Sequence, residues 1–251
     1  MPVTTADTTW TERFRVRSDE MDLHGRAAAT AVCNWLQEVA GNHASSLGWG
    51  IERLQAEQLT WVLARLHLRL DRLPAWRSEV AVTTWPHGVD RLYAVREFRI
   101  ADDDGPCGVA TTGWVLLHVG RRRPVRPPAA LAALGGGEPA RALLDRFEPL
   151  EPPALTGHEQ RFTVRYGDVD LNRHANNVRL IGWALETLPL EALARPLAEL
   201  EVDFRSEATL GTTIRSLAES LGGDGLAFRH RLEDEDGREI ARAHSRFGAS
   251  R

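Results

Sequence analysis

The chain carries two spacings of hydrophobic residues, one typical of strands and one typical of helices. Residues 60–70 alternate strictly, which predicts a strand with one buried face, formed by Thr60, Val62, Ala64, Leu66, Leu68 and Leu70. Helical spacing relates Trp35, Leu36, Val39, Ala40 and His43, and again Ile181, Ala184, Leu185 and Leu188. Both sets predict amphipathic helices.

The same alternation predicts further strands around each helix. They lie near 13–18, 79–85, 91–101 and 109–119, and near 161–166, 197–206, 212–220, 226–233 and 239–247. Hairpin turns are predicted at Asp102–Gly105 and at Asp236-Gly237. Each half thus contains a short strand, a long helix and then about four antiparallel strands, which predicts an α+β fold with a curved sheet wrapped around the helix.

The two halves are copies of one another. Arg13-Phe14-Arg15-Val16-Arg17 matches Arg161-Phe162-Thr163-Val164-Arg165, and the same offset of 148 residues pairs Trp35 with Trp183 and Asp22-Leu23 with Asp170-Leu171. A long unit that occurs twice indicates a duplicated domain, because a solenoid needs three or more short units.

The repeat sets the predicted domain boundaries at 1–119 and 159–251. Residues 120–158 are rich in arginine, proline, alanine and glycine, and we expect a linker there with one short helix near 139–146. Within it, Arg121-Arg122-Arg123 is interpreted as a solvated strand end; the alternative is a contact with an acidic partner.

Composition excludes several classes of protein. No apolar run reaches the roughly 18 residues of a membrane span, and a net charge of −4 argues against nucleic-acid binding. All 31 basic residues are arginine, which excludes lysine Schiff-base chemistry and a P-loop. Two cysteines and an N-terminus without secretory features indicate a cytoplasmic protein. No cofactor and no metal site is expected.

The two copies differ just before the helix. The second reads Asp170-Leu171-Asn172-Arg173-His174, where the first has Asp22-Leu23-His24-Gly25-Arg26. In an extended segment, alternate residues share one face, so the Asp170, Asn172 and His174 side chains would converge. Asn176 or Asn177 is a suitable N-cap for the helix, whose first N–H groups could bind an oxyanion. The alternative is a polar turn that only caps the helix.

The stretch Tyr166–Val178 resembles the active-site segment of acyl-ACP thioesterases of the plant plastid type, whose motif is D-x-N-x-H-x-N-N. Parts of the first half are similar to that family as well, among them Asn34–Glu38 and Leu59–Arg65. The resemblance implies two tandem hotdog domains, an acyl carrier protein as partner, and hydrolysis of fatty acyl-ACP to free fatty acid and holo-ACP in fatty acid biosynthesis.

The resemblance also assigns roles to residues outside the loop. It adds Glu207 to the catalytic set of Asp170, Asn172 and His174, and it makes the first domain a non-catalytic acyl pocket. The plant enzymes often carry a cysteine where this chain has Ala208, which argues against a Cys–His mechanism. Two versions remain open: Asp170 attacks the thioester to form an anhydride, or a carboxylate activates water as a general base.

Three rival functions remain. An acyl-CoA thioesterase differs in the carrier, a hotdog hydratase would lack the Asp/Asn/His/Glu set, and a non-catalytic acyl-binding module would use the carboxylates structurally. The chain could also form a homodimer.

Overall fold

The computed structural model describes residues 8–134, 140–154 and 157–248. The strands are β1 (Trp10–Arg15), β2 (Leu59–Leu70), β3 (Glu79–Asp90), β4 (Tyr93–Asp102), β5 (Gly105–His118), β6 (Arg123–Val125), β7 (His158–Thr163), β8 (Leu197–Phe204), β9 (Thr213–Leu221), β10 (Ala227–Glu233) and β11 (Glu239–Phe247). The helices are α1 (Ala29–Ser46), α2 (Ile51–Ala56), α3 (Ala129–Ala132), α4 (Asn177–Glu186) and α5 (Leu190–Leu193), with 3-10 turns at Ser18–Glu20 and Tyr166–Asp168.

The α+β prediction is confirmed, and every predicted strand is present within a few residues of its predicted ends. The N-terminal features noted above fall in Met1–Asp7, outside the described residues. In the part of the chain that is described, no helix combines the length and the apolar character that a membrane crossing requires.

The strands of the described residues form a continuous antiparallel sheet that runs through both halves. Its order is β1-β3-β4-β5-β2-β8-β11-β10-β9-β7, and β6 is added beside β5. The two halves therefore meet where β2 pairs with β8, with Arg65 opposite Asp203 and Arg69 opposite Glu199. This pairing makes the two domains parts of one sheet.

The duplication is visible in the packing of each helix. Phe14 stacks on Trp35 with ring centroids 5.7 Å apart, and Phe162 stacks on Trp183 at 5.6 Å. Aromatic pairs of this kind add about 0.5–1.5 kcal/mol beyond the area they bury. The predicted inward positions of α1 are buried, and α1 also packs against α4, so the two copies share one core.

Strand β2 departs from the predicted alternation at its centre. A β-bulge between Leu63 and Arg65 leaves Ala64 unpaired with β5, and a bulge of one residue reverses which face later side chains point to. Leu66, Leu68 and Leu70 are buried as predicted, but before the bulge the buried residues are Leu59 and Leu63. The prediction that Thr60 and Val62 share the buried face is therefore wrong.

The predicted linker is only partly irregular. Its first residues form β6 and α3, whereas no helix occurs at 140–146; residue 139 lies outside the described part of the chain. Residues 140–154 cross the sheet face that the helices leave open. They are held there by an ion pair of 2.9 Å between Arg141 and the fully buried Glu97, and by the Arg242 guanidinium, which donates to the Leu150 carbonyl at 2.9 Å.

Candidate active site

The loop that precedes α4 is a closed turn and not the extended segment that we predicted. The Asp170 N–H donates to the His174 carbonyl and the Arg173 N–H donates to the Asp170 carbonyl, both at 2.9 Å. Arg173 takes a left-handed backbone conformation, with φ 64°. The physical reason is that a turn of this type pairs the backbone N–H and C=O groups of a short polar loop with each other, which an extended chain cannot do.

Within this turn Asp170 and Asn172 have different surroundings. The Asp170 Oδ1 accepts the N–H of Asn172 at 2.8 Å. One oxygen of this carboxylate therefore stabilises the turn, and the second oxygen can still contact a substrate. The Asn172 residue is exposed. Among the described residues no hydrogen bond joins the Asp170 carboxylate to the side chains of Asn172, His174 or Glu207, so the convergence is less complete than predicted.

His174 and Glu207 are brought together directly. The His174 backbone bridges to Thr209 in the segment after β8, and its Nε2 lies 3.2 Å from the Glu207 Oε2. Both side chains are half-buried, with exposures of 24% and 28%. The pair thus links the loop before α4 to the segment after β8, where the family resemblance places the glutamate.

Arg122 completes this cluster and was missed as a site residue. It lies in the tight turn between β5 and β6, where its N–H donates to the His118 carbonyl at 2.8 Å, and its guanidinium forms an ion pair with Glu207. The arginine run was interpreted as a solvated strand end, yet Arg122 contacts an acidic residue of the chain itself. Sequence could not show this, because the two residues meet only after the halves pair.

The segment around Glu207 is fixed by the second half. The Arg205 N–H donates to the Ile240 carbonyl at 2.9 Å, and Arg238 donates to the Glu207 carbonyl at 3.3 Å. Ala208 is buried, with an exposure of 1%, and the Ala175 N–H donates to its carbonyl at 2.7 Å. The backbone on either side of Glu207 is therefore fixed by hydrogen bonds.

Helix α4 begins directly behind the loop. Asn176 is the N-cap, and its side-chain oxygen accepts the Val178 N–H at 2.8 Å, so the first of the two predicted caps is the one observed. Beside it, Asp168 is almost fully buried, between Arg165 at 3.1 Å and Arg179 at 3.6 Å. Burial alone would raise the pKa of Asp168, but hydrogen bonds from Arg165 and both guanidinium charges outweigh it and lower that pKa.

The first repeat contains the same turn with different chemistry. Gly25, which corresponds to Arg173, has φ 72°, and Asp22 accepts the N–H of His24 at 2.8 Å. Here, however, Arg26 stands in the place of His174, and its Nε donates to Asp22 at 2.8 Å. Burial opposes ionisation of Asp22, yet the Arg26 and His24 hydrogen bonds prevail and lower its pKa.

The partner segment also differs between the repeats. The backbone bridge of Arg26 to Ala75 corresponds to that of His174 to Thr209. Two residues before the bridge, the first repeat has Leu73 where the second has Glu207. The first repeat therefore keeps the turn but has Arg26 and Leu73 at the positions that correspond to the His174 imidazole and the Glu207 carboxylate.

An apolar cavity of about 420 Å³ lies in the first half, between α1, α2 and the sheet. Its walls include Trp49, Trp61, Trp114 and Leu131. A smaller void shares Gln37 and Trp114 with it and reaches Ile181 on α4. A volume of this size fits the range of ligand cavities, about 300–1,000 Å³.

None of the four predicted site residues lines these cavities directly. Trp61 of the cavity wall lies opposite Leu116 in the β2–β5 pairing, and Leu59 lies opposite His118, which immediately precedes the turn that contains Arg122. A second, polar groove of about 770 Å³ lies between α1 and α4. It is lined by charged residues such as Arg17 and Asp168, which suits water better than an acyl chain.

Both cysteines, Cys33 and Cys107, are unpaired and buried. Burial raises the pKa of Cys33 to about 12, and burial with the nearby Asp102 raises that of Cys107 to about 11. Neither forms a thiolate readily, which fits structural roles for both residues.

Comparison with known proteins identifies two adjacent family models along this chain. The model of the acyl-ACP thioesterase N-terminal domain matches residues 7–133, and that of the C-terminal domain matches residues 153–249. An oleoyl-acyl carrier protein thioesterase from Coriandrum sativum is 33% identical over 227 residues, which cover 82% of this chain and 61% of the relative. The chain thus spans about three fifths of the length of the curated relatives it matches.

Solved structures agree in fold over nearly the whole chain. An acyl-ACP thioesterase from Bacteroides thetaiotaomicron has a TM-score of 0.88 at 24% identity, covering 98% of this chain and all of its own. A 12:0-ACP thioesterase from Umbellularia californica has a TM-score of 0.87 at 24% identity, covering 98% of this chain and 99% of its own. These likenesses confirm the predicted fold of two tandem hotdog units.

Proposed function

Because the chain belongs to the acyl-ACP thioesterase family, we propose that it hydrolyses fatty acyl-ACP to free fatty acid and holo-ACP in fatty acid biosynthesis. The observation that carries this proposal is the contact of 3.2 Å between His174 and Glu207, at the turn that also contains Asp170. The first repeat keeps the same turn without this contact, which supports a site whose reacting groups lie in the second half.

The site offers each group that thioester hydrolysis needs. A nucleophile must add to the carbonyl, and donors must stabilise the oxyanion that forms. Asp170 has one oxygen free of the turn, Glu207 holds the imidazole of His174 through Nε2, and the Asn172 amide is exposed toward an incoming substrate. In this proposal the two carboxylates share nucleophilic and general-base roles, while Asn172 and His174 orient the carbonyl.

The anhydride and general-base versions differ in a covalent intermediate. If Asp170 attacks the carbonyl, its Oδ bonds to the acyl carbon and the thiolate leaves; hydroxylamine would then trap the anhydride. Mass spectrometry of the peptide that contains Asp170, after turnover with hydroxylamine, distinguishes the versions. Modified Asp170 supports the anhydride, and hydrolysis without modification supports direct attack by water.

The surface beside the site supports an acidic carrier. Arg121, Arg123, Arg126 and Arg173 are exposed, and no ion pair is formed by them within the described residues. Arg121 and Arg123 flank Arg122 in the chain, and the charge of Arg122 is already matched by Glu207. Because clustered cations attract an acidic protein surface over several ångströms, this part of the molecule suits acyl carrier protein.

We further propose that the apolar cavity of the first half holds the acyl chain. Its tryptophan and leucine walls suit a hydrocarbon, and a small void that shares Gln37 and Trp114 with it is lined by Ile181 of α4, the helix that follows the active loop. The first domain would then supply the pocket and the second the chemistry. The proposed compartment is the cytoplasm, in agreement with two unpaired cysteines.

Thiol release measures the proposed activity directly. We expect turnover of acyl-ACP, with acyl-CoA substrates of the same chain lengths turned over more slowly. Release from acyl-CoA alone would favour the acyl-CoA thioesterase. Binding of acyl-ACP without release of thiol, at any chain length, would overturn the proposal in favour of a non-catalytic acyl-binding module.

A further inference from the structure

His67 lies on the sheet face that residues 140–154 cover, and its side chain bonds to Asp145 of that segment. Its neighbours in β2, Leu66 and Leu68, are buried in the core with the helices, so the alternation of the strand points His67 to the opposite face. In the β2–β8 pairing His67 stands directly opposite Glu201. The two side chains are therefore cross-strand neighbours at the junction of the halves.

Both ring nitrogens of His67 face carboxylates. Nδ1 lies 2.8 Å from the Asp145 Oδ2 in the linker, and Nε2 lies 3.1 Å from the Glu199 Oε1 in β8. Glu199 is itself held by Arg246, at 2.8 Å. The side chains of His67 and Asp145 are only 15% and 14% exposed, so water reaches this cluster poorly.

The Glu201 carboxylate, unlike that of Glu199, has no arginine paired with it in the described part of the chain to neutralise its charge. Among the described residues its carboxylate makes no hydrogen bond and no ion pair, although it is half-buried and lies beside two further acids. One ligand atom each from His67, Asp145 and Glu201 lies within 4.8 Å of the others. His67 is a nearby group of opposite charge that attracts Glu201, and it is shared with Asp145 and Glu199. A cation between these three atoms would offset the remaining excess of partly buried negative charge.

We propose that His67, Asp145 and Glu201 bind a divalent transition-metal ion of the zinc class. An imidazole nitrogen and two carboxylate oxygens are ligands that such ions accept, at about 2.0–2.2 Å. The ion would replace the proton on the His67 Nδ1, which leaves to solvent, and would bond to the carboxylates of Asp145 and Glu201. Two carboxylates then balance its charge.

The position of Glu199 matches the requirement of such a site. A histidine that binds a metal through one nitrogen commonly donates its other N–H to a carboxylate, which fixes the ring and strengthens the bond. The His67 Nε2 already has this partner in Glu199, and Arg246 neutralises it. The imidazole is thus oriented with Nδ1 toward Asp145 before any ion binds.

The three ligands come from three parts of the chain: β2 of the first half, the linker, and β8 of the second half. A bound ion would tie the linker across the junction of the two halves. No short spacing relates positions 67, 145 and 201, which is why the sequence offered no metal motif.

Titration calorimetry with Zn²⁺ on the chelator-treated full chain tests this site. We expect one strongly bound ion, at least a 10-fold loss of affinity in Glu201→Gln, and unchanged affinity in His24→Gln, which removes an exposed histidine. Glu201→Gln is the informative variant because the native carboxylate holds nothing in place. Zinc at about 100 times the dissociation constant should raise the melting temperature of the wild type by about 5–10 °C, and that of Glu201→Gln much less.

The chain has nine histidines, so weak binding elsewhere is controlled by anomalous diffraction at the zinc edge. Density between His67, Asp145 and Glu201 supports the proposal. Absence of strong binding, equal affinity in the wild type and Glu201→Gln, or zinc located only at other histidines would overturn it.

Discussion

The Arg65 Nη1 lies 2.8 Å from the Asp203 Oδ2, across the junction between β2 and β8. The side chains are 12% and 7% exposed, and Arg205 approaches the same carboxylate at 2.9 Å. The two halves thus meet through a nearly dry ion pair as well as through backbone hydrogen bonds. Buried charges of this kind are costly when one partner is removed.

Asp203→Ala should therefore destabilise the protein by about 3–5 kcal/mol, since it leaves Arg65 buried without its counter-charge. The free energy of unfolding in urea measures this. Glu79→Ala is the matched control, because its pair with Arg15 is exposed and 3.9 Å apart, and we expect a loss of at most about 1 kcal/mol. Equal losses in the two variants would show that the junction pair stabilises the protein no more than an exposed ion pair does.

Asp170→Asn should lower kcat/KM for acyl-ACP by about 10²–10⁴-fold, because an amide can neither attack nor accept a proton. Glu207→Gln should produce a loss of similar size. Asp22→Asn is the matched control in the first repeat, where we expect nearly full activity. Circular dichroism establishes that all three variants are folded; full activity in Asp170→Asn would remove that residue from the mechanism.

Arg121→Glu combined with Arg123→Glu should raise KM for acyl-ACP about 10-fold or more and leave kcat nearly unchanged, because these exposed side chains attract the carrier and do not touch the thioester. The wild-type KM should also rise with salt. Arg13→Glu, on the exposed edge strand β1, is the control for net charge. A KM that responds equally to both changes would argue against a local carrier surface.

His230 makes stability depend on pH. Its ring is fully buried, with Nε2 2.8 Å from the Ser245 hydroxyl, and burial, together with the charge of nearby His244, lowers its pKa to about 3. The unfolded chain has the ordinary pKa of about 6.5 and takes up the proton first. Stability is therefore complete above that value and is lost as the pH falls.

From pH 7 to pH 5 this residue alone should remove about 2 kcal/mol of unfolding free energy. Urea denaturation at several pH values measures the slope, and His230→Gln should flatten it whatever its effect at pH 7. The exposed His24→Gln should retain the wild-type slope. A slope that His230→Gln leaves intact would assign the pH dependence to other groups.

Both cysteines should resist thiol reagents in the folded protein. Their pKa values, raised by burial to about 12 for Cys33 and about 11 for Cys107, leave almost no thiolate at pH 8. We expect no reaction with a chromogenic disulfide over minutes, and reaction of both thiols in guanidinium. Rapid labelling of the native protein would contradict the burial of the two thiols. Cysteines that do not react in the native protein also add no background to the thiol-release assay.

Sequence predicted the parts that depend on local pattern. The repeat, the helices around Trp35 and Trp183 and the N-cap at Asn176 all follow from spacing or side-chain chemistry over a few residues. The contact of Arg122 with Glu207 and the bulge at Ala64 could not be predicted, since each depends on how distant strands pair.

The candidate site shows the same division. Spacing placed Asp170, Asn172 and His174 in one loop, and the resemblance added Glu207 from a distant strand. The predicted geometry of the loop is wrong. Alternation of side chains assumes an extended backbone, whereas this loop closes through its own backbone hydrogen bonds. The proposed metal ligands were invisible for a further reason: they lie on three segments that only the folded sheet brings together.

The turn shared by Asp22 and Asp170 shows what fusion of two copies permits. In a homodimer every substitution appears twice, so an arginine that neutralised one aspartate would silence both sites at once. Within one polypeptide Arg26 occupies one turn while His174 remains in the other. Loss of symmetry of this kind allows one repeat to enlarge a cavity while the other keeps the candidate reactive groups.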